Sequence, residues 1–303
     1  MGIQNNSDIT SKQGHILDLE KKYFDLIYSI FKAEDFKEDL IAIESEIKNR
    51  YSEYKNVWNL KNKLKIPAER IVTHYMYKND RTKNEIVGIY SSPISSDIGL
   101  KMKDAILCID IKTNDINGNR GDYNKILAER NQMSFINKSY VNVTTNENLH
   151  TYDEDLPVLT YIVKIGYDDD GTSFKLKTND NSYPPIQIVC VPNGELGSLF
   201  DDNIVDGFKT YYYDEATDNI NFFNTKEEAT EYLVDNYELI PEIDKEIYFC
   251  SETQNKYVAT SKGHKPCVKR LLSGNTARIN KNSIINRLDS KGNSWEGYKM
   301  INW

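Results

Sequence analysis

The 303-residue chain has little cysteine and no long apolar run, and these two deficits exclude several classes of protein. Its four cysteines are far apart and form no C-x-x-C pair, which predicts free thiols in a reducing cytoplasm rather than a disulfide framework. No apolar segment reaches the roughly 18 residues that a membrane-spanning helix needs, and the first residues lack the pattern of a signal peptide. We therefore expect a cytoplasmic protein with no membrane partner.

Motifs for nucleotides and for zinc are also missing. The chain has neither G-x-x-x-x-G-K-[ST] nor G-x-G-x-x-G, so we expect no nucleotide cofactor. Its four histidines are scattered without the spacing of zinc ligands. No G-x-S-x-G indicates a serine nucleophile, although a Ser-His-Asp arrangement assembled by the fold stays open.

The formal net charge of −8 is unevenly distributed along the chain. Residues 201–250 contain fourteen acids and three lysines, whereas residues 256–303 contain ten Lys or Arg and two acids. A basic terminal segment can supply contacts to DNA phosphates. We therefore predict a core with N-terminal helices at 1–205, an acidic connecting region at 206–255 and a basic module at 256–303.

The most informative segment is a predicted buried strand that ends in two charged residues. The apolar run Ala105-Ile-Leu-Cys-Ile109 is followed by Asp110-Ile-Lys112. Residues i and i+2 of a strand project from the same face, so Asp110 and Lys112 point the same way. Desolvating both at the end of a buried strand is costly unless they serve a site. The alternative is a strand that leaves the core into solvent with ordinary surface charges.

A second acid, Asp97, heads the preceding short strand, and a turn between the two strands would bring it beside Asp110. Two carboxylates next to one ammonium suit a divalent metal and an attacking water. With Ser91-Ser-Pro93 upstream of Asp97, the segment resembles the PD-(D/E)xK nuclease superfamily, and within it the type II restriction endonucleases. The sequence departs from the family motif at Ser96, which stands where proline is expected.

The resemblance extends over residues 65–210 and implies an α/β (α+β) fold, a mixed sheet flanked by helices. Later segments that resemble core strands of restriction enzymes are 161–167, 174–177 and 186–194. The implied function is a Mg²⁺-dependent endonuclease that hydrolyses phosphodiester bonds of double-stranded DNA at specific sequences. Cleavage of palindromic DNA requires two sites related by a two-fold axis, so a homodimer is expected.

The resemblance also implies roles for individual residues. Asp97, Asp110 and the carbonyl of Ile111 would hold the metal, and Lys112 would orient the attacking water. Glu69, on the helix predicted before the first strand, is a further candidate acid, with an ordinary surface helix acid as the alternative.

The basic C-terminal region loosely resembles the small helix-turn-helix modules appended to phage and intron-encoded nucleases. Ser283-Ile-Ile-Asn-Arg-Leu288 would form the recognition helix, with Asn286 and Arg287 reaching base edges or phosphates. The alternative is a basic helical tail that balances the acidic middle of the chain. Further candidate contacts to DNA are Arg120, Lys269, Arg270, Arg278 and Lys281.

Three other functions stay open at the level of the sequence. The chain could be a homing, nicking or repair nuclease of phage type from the same superfamily, or a DNA-binding protein without catalysis whose acids are structural. An acidic interaction protein unrelated to DNA is the third. Replacing Asp110 separates the first two, because an enzyme would lose cleavage and keep DNA binding.

Overall fold

The computed structural model describes most of the chain, and its residues divide into two compact units. The first unit comprises Met1–Gly207 and Ala277–Trp303, and the second comprises Phe208–Thr276. The described residues are 9–54, 64–90, 96–116, 125–129, 156–169, 174–176, 184–200, 204–214, 221–242 and 245–303. Arg120, predicted to contact DNA, lies outside them.

Amphipathic helices form the N-terminal part of the first unit. They are α1 Ser11–Phe31, α2 Glu34–Asn49, α3 Tyr51–Tyr54, α4 Lys65–Lys78 and α5 Asp80–Lys83. Helix α1 begins at a capping box, in which the Thr10 hydroxyl accepts the Gln13 N–H and the Gln13 side chain accepts the Thr10 N–H. Phe36 of α2 packs on Phe31 of α1 at 4.8 Å and on Tyr75 of α4 at 5.1 Å between ring centroids. These aromatic contacts join the three longest helices of this region into one layer.

The remaining elements are mostly strands. They are β1 Ile86–Tyr90, β2 Ile98–Met102, β3 Ile106–Asp115, β4 Ile126–Glu129, β5 Val158–Asp169, β6 Phe174–Leu176, β7 Ile186–Val191, β8 Val205–Tyr213, β9 Asn221–Phe222, β10 Glu238–Glu242, β11 Lys245–Cys250, β12 Asn255–Lys262, β13 Lys265–Ile279, β14 Asn286–Leu288, β15 Ser294–Glu296 and β16 Tyr298–Ile301. Two further helices are α6 Lys226–Asn236 and α7 Lys281–Ile285.

The core sheet of the first unit is mixed, with the strand order β1-β2-β3-β5-β7-β16 and β6 paired to β5. Strands β3 and β5 are parallel, and the other pairs are antiparallel. Strands β3, β5 and β7 are buried on both faces over long stretches, as expected for the centre of a sheet covered by helices. The predicted α/β core with a mixed sheet flanked by helices is confirmed.

The second unit is an antiparallel sheet with one covering helix. Its strands follow the order β10-β11-β12-β13, and β8 and β9 also pair with β13. Helix α6 begins at Thr225, whose hydroxyl accepts the Glu228 N–H. Its apolar side, Ala229 and Leu233, packs on Tyr248 and on Val268 of the sheet. In the described part of the chain, no helix is long and apolar enough to cross a membrane.

The C-terminal region does not form the predicted helix-turn-helix module. Strands β12 and β13 belong to the antiparallel sheet, α7 has only five residues, and β14 pairs with β15. Strand β16 is an outer strand of the core sheet beside β7. The physical reason is burial, because Ile284, Trp295 and Ile301 all pack into the core of the first unit. The predicted division at residue 256 therefore differs from the observed units, since residues 256–303 are divided between them.

Candidate active site

The pairing of β2 with β3 brings the two predicted acids together. Ile98 lies opposite Ile109 in this antiparallel pair, so the next residue on each side places Asp97 opposite Asp110. The Oδ2 atom of Asp97 accepts the backbone N–H of Ile111 at 2.6 Å. This hydrogen bond holds the first acid against the strand that carries the second.

Asp110 is a buried carboxylate with an unusual environment. It is 1% exposed, and the Lys112 Nζ lies 2.8 Å from its Oδ2, with the Lys112 side chain 28% exposed. This contact is an ion pair that offsets part of the negative charge of the carboxylate. Within the described residues, the other oxygen, Oδ1, is buried without a hydrogen-bond partner. Such a group is costly unless it has a function.

The environment of Asp110 makes it hard to ionise. Burial raises the pKa of the Asp110 carboxyl from its usual 3.8 to about 7, the Lys112 ammonium opposes the rise, and the negative charge of Asp97 adds to it. A carboxyl with a pKa near neutrality gains its charge when a cation is supplied. This electrostatic arrangement favours binding of a positive ion.

The donor set fits a hard divalent cation. The side chains of Asp97 and Asp110 are carboxylates, and the Ile111 carbonyl follows Asp110 in the strand. Oxygen ligands of this kind suit Mg²⁺, which keeps several waters when only a few protein groups bind it. Among the described residues, no cluster of three His, Cys, Asp or Glu side chains forms a complete cage. The described carboxylates therefore supply only part of a coordination shell.

Glu69 lies near the site on α4, which packs against β3. Burial raises the pKa of the Glu69 carboxyl, and the charge of Asp97 raises it further. The cations Lys65, Arg70 and Lys112 lower it in part. Glu69 is thus within electrostatic reach of Asp97 and Lys112 but does not complete a cluster of three acids with the two aspartates.

Two buried polar side chains beside Lys112 were not predicted from the sequence. Lys164 of β5 is in register with Lys112, and Gln187 of β7 is in register with Lys164, so the three side chains share one face of the sheet. The Lys164 Nζ donates to the Lys125 carbonyl at 2.9 Å, and the Tyr298 hydroxyl donates to Gln187 Oε1 at 2.9 Å. The sequence clue was a lone lysine within the apolar run 161–167.

Arg287, predicted to contact DNA, is instead fully buried. Its guanidinium forms an ion pair with the buried carboxylate of Glu20 on α1 and donates to the Cys190 carbonyl at 3.4 Å. It also lies over the Trp295 ring, 4.5 Å from the centroid. The structure therefore contradicts the assignment of Arg287 to a DNA contact, because a residue enclosed by its own core cannot reach a duplex.

The other predicted DNA contacts have different environments. Lys269 is buried over the Tyr213 ring, and Arg270 lies 3.8 Å from the carboxylate of Asp214. Lys281 lies over the ring of Tyr298 at 4.1 Å. Arg278 and Asn286 are exposed, so their contact with DNA stays a prediction.

Comparison with known proteins identifies the family. The family described as type II restriction enzyme MwoI, N-terminal domain, matches residues 14–171. A solved structure of the restriction endonuclease BglI bound to its DNA recognition sequence is similar, with 14% sequence identity, a TM-score of 0.43, and coverage of 71% of this chain and 85% of that chain. No curated protein matches the chain.

The family match spans just over half of the 303 residues and includes Asp97, Asp110 and Lys112. It confirms the expected class, a type II restriction endonuclease that cuts DNA at specific sequences. The chain belongs to the family of type II restriction enzymes defined by the MwoI N-terminal domain.

Proposed function

We propose that this restriction endonuclease uses Mg²⁺ at Asp97 and Asp110 to hydrolyse phosphodiester bonds of double-stranded DNA. The observation that carries the proposal is the buried Asp110 carboxylate. Its Oδ1 has no hydrogen-bond partner among the described residues, its pKa is about 7, and the Lys112 Nζ lies 2.8 Å from its Oδ2. Groups with these properties cluster at functional sites.

Each residue has a separate role in the proposed site. Asp97, Asp110 and the Ile111 carbonyl would hold the ion, which supplies a Lewis acid for water and phosphate when bound. The hydrogen bond from the Ile111 N–H fixes the carboxylate of Asp97 before any ligand arrives. Because Asp110 lies on β3 and Asp97 is hydrogen-bonded to the backbone of that strand, little reorganisation is needed on binding.

Lys112 is the group that acts on the reacting atoms. Its ammonium is anchored beside Asp110 while more than a quarter of its side chain stays accessible to solvent. In that position it can orient the attacking water and stabilise the negative charge that develops on the phosphorane-like transition state. Glu69 would add negative charge at the edge of the site and strengthen retention of the cation.

DNA binding and the assembly follow from the same chemistry. A palindromic site offers two scissile bonds related by a two-fold axis, so two copies of this chain would each supply one active site. The free cysteines Cys108, Cys190, Cys250 and Cys267 are compatible with a cytoplasmic protein. We therefore propose a cytoplasmic homodimer acting on double-stranded DNA.

Plasmid cleavage followed by sequencing of the ends tests the proposal. The purified protein should convert supercoiled plasmid to discrete linear fragments with Mg²⁺ and should leave it intact with EDTA. Its mass in solution, measured by light scattering, should be that of a dimer. Open circular plasmid without linear product would identify a nicking enzyme. A protein that binds DNA but does not cleave it in the presence of any divalent ion would contradict the catalytic proposal.

A further inference from the structure

Charge is segregated across the second unit. Residues 255–276, which form β12, the part of β13 that belongs to this unit and the turn between them, contain five Lys or Arg and no acid. Helix α6 contains four acids and one lysine, and β10 and β11 together contain three acids and one lysine. Because the sheet order is β10-β11-β12-β13, the acidic strands lie on one side of the sheet and the basic hairpin on the other.

Most cations along this hairpin already have partners within the unit. The Lys256 Nζ is 2.6 Å from the Tyr211 hydroxyl, and Lys269 lies over the ring of Tyr213. Arg270 is paired with Asp214. These contacts stabilise the sheet and leave the three side chains less able to bind a ligand.

The cations at the tip of the hairpin are different. Lys262 and Lys265 are exposed, and neither forms an ion pair with any residue that the structure describes. Lys262 and Lys265 form the last pair of the β12–β13 register, and Gly263 between them adopts a φ of +62°. An L-residue with a side chain rarely adopts this φ, so glycine permits the tight turn.

The tip is held on a regular ribbon. Seven consecutive residue pairs connect Lys262–Lys265 to Lys256–Leu271 without a register shift. A two-stranded antiparallel ribbon has dimensions that fit a DNA groove. Its cations are thus presented together, at the end of a structured element rather than on a surface loop.

We propose that the tip of this hairpin, Lys262 to Lys265, binds the phosphodiester backbone of DNA. The inference rests on the proposed DNA substrate and adds a sequence-independent contact surface outside the catalytic core sheet. Lys262 and Lys265 each neutralise a phosphate and release its condensed counterions. The acids of α6, β10 and β11 repel the polyanion, so the field of the unit favours approach by the basic hairpin.

Binding of the full-length protein to cognate and random duplexes, at several salt concentrations and without Mg²⁺, tests this inference. The variants Lys262→Ala and Lys265→Ala are compared with Lys226→Ala, an exposed lysine on the acidic helix α6. All three remove one positive charge, so the comparison separates the position of the charge from the net charge. Unchanged thermal unfolding of the variants establishes that each is folded.

Each tip variant should reduce the slope of log affinity against log salt by about 0.9 and should weaken binding to cognate and random DNA equally. The Lys226 variant should retain the slope of the unaltered protein. Tip variants that match the Lys226 variant would overturn the inference while leaving the nuclease proposal intact. A protein that binds no duplex at all would contradict the proposed function and the inference with it.

Discussion

The Oδ2 atom of Asp97 accepts the backbone N–H of Ile111 at 2.6 Å, and Ile111 lies between Asp110 and Lys112. One hydrogen bond therefore connects the acid before β2 to the segment of β3 that carries the other two charged groups. It also explains why the charge of Asp97 affects the pKa of Asp110. The two acids act as one electrostatic site rather than as separate surface charges.

Replacing Asp97 by asparagine should separate its charge from its hydrogen bond. The amide oxygen of Asp97→Asn can still accept the Ile111 N–H, so the fold should be retained. The loss of charge at the metal site should lower the single-turnover cleavage rate by at least about a hundredfold. Rates measured on a cognate duplex provide the test.

Asp104 offers the matched control for this substitution. Its carboxylate binds Lys22 at 2.6 Å and accepts the Tyr23 hydroxyl, so it serves the packing of α1. Asp104→Asn should change cleavage by no more than a few-fold. An inactive Asp104 variant together with an active Asp97 variant would show that the wrong acid has been assigned.

The raised pKa of Asp110 predicts how stability depends on pH. The folded protein holds the proton up to about pH 7, whereas the unfolded chain releases it near 3.8. The free energy of unfolding therefore increases as pH falls from about 7 to about 4, and it gains nothing more from Asp110 below about pH 4. The contribution of Asp110 is lost as pH rises through 7. The shift corresponds to at most roughly 4 kcal/mol.

The Asp110→Asn variant isolates this contribution from other titrating groups. Its stability relative to the unaltered protein should be greater at about pH 8 than at about pH 4. Urea unfolding of both proteins across this range measures the difference. A difference that is constant with pH would show that Asp110 has an ordinary pKa in the folded state.

The raised pKa of Asp110 should also make the affinity for metal depend on pH. The carboxyl of Asp110 must lose its proton before it can bind a cation, so the affinity for Mg²⁺ should fall about tenfold per pH unit below the pKa of about 7. Calorimetric titration of the DNA-free protein at several pH values measures this dependence. Affinity that does not change across this range would place the ion elsewhere.

The buried pair of Arg287 and Glu20 should be a strong determinant of stability. Removing one partner leaves an uncompensated buried charge, so Arg287→Met or Glu20→Gln should each destabilise the protein by roughly 3–5 kcal/mol. The loss in the free energy of unfolding of the double variant should be smaller than the sum of the losses of the two single variants. Chemical unfolding of the three variants tests this coupling.

The preference for cognate over random DNA distinguishes a structural role of Arg287 in the core from recognition of DNA bases. At temperatures where the Arg287 variant is folded, its preference for cognate over random DNA should be unchanged. A selective loss of cognate binding would restore Arg287 as a contact to bases. The exposed neighbour Asn286 is the matched comparison, since Asn286→Ala should lower discrimination by roughly 1–3 kcal/mol if that residue reads a base.

Local patterns in the sequence predict the cluster of Asp97, Asp110 and Lys112 but not the C-terminal architecture. The positions of Asp110 and Lys112 follow from the two-residue period of one strand, and Asp97 follows from a short antiparallel connection. By contrast, Arg287 and Glu20 are 267 residues apart in sequence, so no local pattern indicates that they form an ion pair. The basic C-terminal sequence therefore predicts a DNA contact for Arg287, whereas the fold places it in the core. The position of Lys164 beside Lys112 depends on the parallel pairing of β3 with β5, which no local pattern specifies.

The single-turnover cleavage rate of Asp110→Asn on a cognate duplex, with saturating protein and Mg²⁺, tests the central claim most directly. The variant is nearly isosteric, so binding of the duplex should be retained, while loss of the metal carboxylate should reduce the rate by at least about a hundredfold. Lys112→Met should show a comparable loss, because it removes the cation beside Asp110. Cleavage by Asp110→Asn at a rate close to that of the unaltered protein would contradict the assignment of this site.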